Sequence, residues 1–172
     1  MIGEQDLLVV LDCETLFRGV QTTYGVGARI NYKKMTESLT TLRPASCIHL
    51  RAYVMVKAGQ YGQIDFLSRL TDIGYDVKPL LSHYDAATQI SQHEDIFERI
   101  HEETINFSCV NGYPKTVIVG CGSIMLLSLY QELQARGSTA IVIGFGKSVS
   151  SFLYGVEKKI LGPEFLLEKS VS

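Results

Sequence analysis

At 172 residues the chain is long enough for one well-buried core and too short for two ordinary domains. Its hydrophobic fraction of 46% argues against disorder, and a formal charge of −2 provides no global basic field for nucleic acid, although a local patch can still bind it. No apolar run is long enough to span a bilayer, the first residues lack the basic region of a secretory signal, and Cys13, Cys47, Cys109 and Cys121 form no C-x-x-C pair. Reduced thiols, a cytoplasmic location and no membrane association are therefore expected.

The apolar run 7–11 is unbroken and ends in Asp12. Continuous runs suit a strand covered on both faces, whereas a half-exposed strand alternates. An amphipathic helix is expected over 32–42 and a second strand over 48–56. Ile64, Leu67, Leu70 and Ile73 share a helical face that Gly74 ends, and 75–81 reads as a third, shorter strand. Ile96, Phe97, Ile100 and Ile105 mark another helix. Residues 116–119, ending at Gly120, and 139–143, ending at Gly144, are buried-strand patterns. Between them, 124–133 is apolar nearly all round and predicts a buried helix stopped at Gly137. Val149, Phe152, Leu153, Val156 and Ile160 predict a final helix. Strands alternating with helices imply crossover units, hence one α/β domain with a mostly parallel five-stranded sheet. Ligands of such sheets bind beyond the carboxyl ends of the strands, near a switch in strand order. That places candidate loops at 12–15, 57–60, 82–85, 120–123 and 144–148.

The motifs in these loops each meet a plainer alternative. Gly144-Phe145-Gly146-Lys147-Ser148 ends like a phosphate-binding loop, but Ile141 stands where that loop needs its first glycine. A strand-to-helix turn explains the glycines equally well. Gly120-x-Gly122 begins a dinucleotide fingerprint whose third glycine position is Met125. Cys121, between two glycines on a predicted turn, resembles a nucleophile position, yet His49, His83, His93 and His101 all lie in other segments. His93-Glu94-Asp95-Ile96-Phe97 is not a zinc motif, because Phe97 replaces the second histidine. The acidic residues remain. Asp12 ends the first strand with Glu14 beside it, and Glu94, Asp95, Glu98, Glu102 and Glu103 crowd one predicted helix. Converging carboxylates hold Mg²⁺ or Mn²⁺ for phosphodiester cleavage, whereas a solvated acidic face does not.

Residues 7–16 (LLVVLDCETL) resemble the opening of NYN domains, a branch of the PIN-like nuclease superfamily. Ile30-Asn31-Tyr32-Lys33-Lys34-Met35 is similar to the family's next helix start. Residues 64–80, 117–123 and 140–152 resemble its second helix and third strand, its fourth strand and turn, and its fifth strand and last helix. The resemblance implies a three-layer α/β/α sandwich, PIN-like and Rossmann-like, that cuts RNA with acidic residues and a divalent metal. It implies Asp12, Glu14, Asp95 and Glu102 as catalytic carboxylates, with Asp12 and Asp95 as metal ligands. Lys57, Lys147 and Ser148 are the candidate RNA contacts. Thr15 stands where the family has asparagine. In the turn Gly120, Cys121, Gly122, Ser123, the cysteine and serine replace two family aspartates. Neither a thiol nor a hydroxyl matches a carboxylate for a hard cation. Weakened or lost Mg²⁺- or Mn²⁺-dependent ribonuclease activity is therefore expected. The alternative is an inactive module that binds RNA, a protein partner or its own copy.

Overall fold

The computed structural model describes residues 6–57, 59, 62–85, 90–93 and 95–168; Gln60 and Glu94, named above, lie outside them. The first apolar run forms β1 (Asp6–Asp12), buried along its whole length. Its pattern is continuous because each face meets a separate helical layer. Leu7, Val9 and Leu11 pack with Leu16, Val20, Met35, Leu39 and Leu70 on one side. Leu8 and Val10 pack with Ile100, Leu126, Leu129, Tyr130 and Leu133 on the other.

Among the described residues one sheet has seven strands in the order β4-β3-β2-β1-β5-β6-β7. The remaining strands are β2 (Cys47–Lys57), β3 (Asp76–Asp85), β4 (Ile90–His93), β5 (Thr116–Gly120), β6 (Thr139–Phe145) and β7 (Glu157–Leu161). All neighbours run parallel except β3 and β4. Helices α1 (Cys13–Tyr24), α2 (Tyr32–Thr40) and α3 (Gly62–Ile73) contribute to the first core. Helices α4 (Ile96–Asn111) and α5 (Leu127–Ala135) contribute to the second. The result is the expected α/β/α sandwich with a larger sheet than the predicted five strands.

Two differences arise where strands pair at the edges of the sheet. β3 runs on to Asp85 and pairs with the short antiparallel β4 at one edge, so 82–85 is strand rather than loop. The helix expected from Val149 to Ile160 does not form. Residues 146–148 make one 3₁₀ turn, and Gly155 takes a left-handed φ of 72° that interrupts helical geometry. Residues 157–161 then pair with β6 as the other edge strand. The apolar spacing over 149–160 fits a helix, but pairing with an open sheet edge overrides it. Charged Glu157, Lys158 and Lys159 on this edge discourage further strand addition.

Candidate functional site

The strand order reverses at β1 and β5, the place where ligand crevices form in open α/β sheets. Leu11 pairs with Gly120 in parallel register, so Asp12 and Cys121 leave the sheet side by side. Asp12 passes directly into α1 as its N-cap. Its Oδ1 accepts the Thr15 amide at 3.2 Å, and its Oδ2 accepts the Thr15 hydroxyl. The Cys121 thiol donates in turn to Thr15 Oγ1 at 3.9 Å. Asp12 is 1% exposed. Burial pushes its carboxyl above the ordinary aspartate value, against the hydrogen bonds from Thr15 and Cys121. The same burial, with Asp12 nearby, pushes the Cys121 thiol up to about 12. Buried beside a carboxylate, this thiol stays protonated, the opposite of the electropositive setting that activates a cysteine.

The turn after β5 is packed shut. The Tyr130 hydroxyl donates to the Cys121 carbonyl at 2.6 Å, and the Ser150 amide donates to the Gly122 carbonyl at 2.8 Å. A Cβ on Gly122 would overlap the Ser148 and Val149 backbone, so glycine here is required by close approach. Ser123 caps the following 3₁₀ turn by accepting the Met125 amide at 3.2 Å. The crevice predicted at Gly120–Ser123 is therefore filled by the segment after β6.

The acidic helix does not complete a metal site. Asp95 is the N-cap of α4, exposed, with Oδ1 accepting the amides of Phe97 at 2.9 Å and Glu98 at 3.2 Å. Glu102 is exposed and borders a shallow surface depression with His101 and Glu132. Neither residue perturbs Asp12. Glu103 faces the sheet instead. It accepts the Tyr53 hydroxyl at 2.7 Å and Arg99 Nε at 2.8 Å. Burial raises its carboxyl, but these hydrogen bonds outweigh that and hold it below the ordinary glutamate value. Its spacing from Ile96 and Ile100 could have identified the inward position. Among the described residues no group of three or more His, Cys, Asp or Glu is arranged to hold a metal ion. Asp12, with both oxygens engaged by Thr15 and a thiol beside it, does not fit a hard divalent cation.

The candidate RNA contacts separate as well. Ser148 Oγ is buried without a hydrogen-bond partner, directly opposite Gly19 and Gly144, so it cannot meet a phosphate. Lys147 is exposed on the 3₁₀ turn. Lys57, at the carboxyl end of β2, borders a cavity of about 750 Å³ between α1, α2 and α3. Glu14 also lines it, half-exposed and paired with Arg18 at 3.2 Å. The cavity's other cations are Arg29, Lys33 and Arg69. Among the described residues none of the four cations forms an ion pair. Three aromatic side chains join them: Phe17, Tyr32 and Phe66. No local motif announces this site, because its residues come from four separate elements.

No protein-family model matches the chain, and no curated protein matches it significantly. A solved structure of a Vibrio parahaemolyticus protein of unknown function is similar, with a TM-score of 0.75 at 18% identity over 95% of this chain and 96% of that one. It supports the fold. A Serratia marcescens short-chain dehydrogenase/reductase variant aligns at a TM-score of 0.37 and 10% identity, over 81% of this chain and 55% of that one, too remote to bear on function. Among the described residues no helix is long and apolar enough to cross a membrane.

Proposed function

We propose that the protein is a PIN-like domain of the NYN type that binds single-stranded RNA at the carboxyl ends of β1 and β2 and does not cleave it by a metal-dependent route. The observation that carries this reading is the group of four cations, Arg29, Lys33, Lys57 and Arg69, around one cavity with two carboxylates, Glu14 and Asp72; among the described residues none of the four forms an ion pair. Cations around a cavity that reaches the end of β2 at Lys57 suit a phosphate backbone, and adjacent aromatic rings suit unstacked bases. The loss of cleavage follows from the donor set. Asp12 is buried and engaged by Thr15, Cys121 and Ser123 supply no anionic oxygen, and Asp95 caps its own helix.

Anisotropy titration of a labelled, unstructured RNA at several salt concentrations tests binding. If all four cations meet phosphates, log K should fall with log salt at a slope of about −3, from roughly −0.7 per phosphate on a single strand. Absence of binding at low salt would refute the reading. Incubating the same RNA with Mn²⁺ tests the second half: robust cleavage that disappears in Asp12→Asn would restore the ribonuclease.

A further inference from the structure

The cavity between α1, α2 and α3 has two kinds of wall, and together they define a ligand. One wall is apolar and aromatic. Val54 and Leu70 are buried at its base. The rings of Tyr32 and Phe66 lie 5.3 Å apart at 59°, in contact with each other, so no third ring fits between them and a planar ligand would lie against them. Phe17 is 41% exposed, with the Arg29 guanidinium 5.8 Å from its ring centroid. The other wall is charged, with four cations against the carboxylates of Glu14 and Asp72.

Each wall excludes a simpler occupant. A purely apolar ligand would leave the excess of cations, four against two carboxylates, without a counter-charge. Inorganic phosphate would leave the aromatic wall without a partner. A nucleotide satisfies both, with its base on a ring or guanidinium face and its phosphate on the cations. The volume of about 750 Å³ falls within the roughly 300–1,000 Å³ of small-molecule sites. The geometry points to a pocket for one unstacked nucleotide, its base against Phe17, Tyr32 and Phe66 and its phosphate on Lys33, Lys57 or Arg69. The proposal deepens the RNA reading, because the nucleotide can belong to a strand or be free.

Calorimetric titration of the full chain with AMP, GMP, CMP and UMP, with adenosine and inorganic phosphate as half-ligands, tests the pocket directly. At least one nucleotide should bind at a single site, more tightly than either half-ligand. Phe66→Ala should weaken it about tenfold or more, the scale of one base–aromatic stack. Because Phe66 also packs against the core, Phe17→Ala and Lys57→Glu provide variants at exposed positions, with thermal melts confirming their folding. Weakened nucleotide binding in folded Phe17→Ala and Lys57→Glu supports the proposal, and unchanged binding in both overturns it. RNA binding without any mononucleotide binding overturns the pocket and leaves the RNA reading standing. Mononucleotide binding without RNA binding supports the pocket and refutes the RNA reading.

Discussion

Replacing Gly122 with alanine tests whether the crevice beside Asp12 is closed. The new methyl carbon would sit 2.5 Å from the Ser148 carbonyl oxygen and 3.0 Å from its carbon, and would also overlap Val149 Cα. Comfortable carbon contacts lie near 3.5–4.0 Å, so the obstruction is about 1 Å deep. The obstacle is backbone, which cannot rotate aside as a side chain can. The segment would have to withdraw, stretching the 2.8 Å hydrogen bond from the Ser150 amide to the Gly122 carbonyl. Overpacking typically costs about 1–3 kcal/mol, and rigid backbone places this case near the upper figure. At about 2–4 °C per kcal/mol for a chain of this size, Tm should fall by roughly 6–12 °C. Gly27→Ala is the matched control, with no atom within 4 Å of the added carbon. It should shift stability by less than about 1 kcal/mol. Circular dichroism melts of the three proteins provide the comparison. A Gly122→Ala variant melting with the wild type would mean that the turn is open, and the case against a metal crevice would lose its structural basis.

Asp12 carries a pH signature. Its folded pKa lies above the unfolded value, so the unfolded chain releases the proton first and stability falls as pH rises between the two. Asp12→Asn removes that penalty, so urea unfolding should show the variant gaining on wild type between pH 4 and pH 7; a relative loss would mean that the ionised carboxylate is the favoured form. Native alkylation with iodoacetamide should modify exposed Cys47 and Cys109 and spare buried Cys13 and Cys121, with all four reacting in denaturant. A native adduct on Cys121 by mass spectrometry would contradict a closed turn. Tyr130→Phe withdraws the buried donor from the Cys121 carbonyl and should cost about 1–3 kcal/mol in urea unfolding. No measurable cost would show that this bond does not hold the turn.

Much of the fold can be read along the chain because its signals are local. The unbroken run 7–11 declares a strand covered on both sides. Asp12 can be read as a helix start because a side-chain oxygen three residues ahead of Thr15 caps α1. Asp95 has the same relation to Glu98, a capping position that competes with its reading as a metal ligand. Of the expected RNA contacts, Lys57 reaches the open cavity, while the Ser148 hydroxyl is buried beneath α1.

The sequence by itself determined the alternation of strands and helices, the unbroken burial of β1, and a Gly120–Ser123 turn without carboxylates, since each depends on residues within a few positions of one another. Tertiary structure alone decided that residues 157–161 join the sheet, that β1 lies beside β5, that Tyr53 is the residue Glu103 meets, that Ser148 and Val149 close the turn, and that an aromatic and cationic cavity opens between three helices. These outcomes depend on which surfaces meet across the sheet, and a side chain's partners there are set by packing between distant elements rather than by its neighbours in the chain.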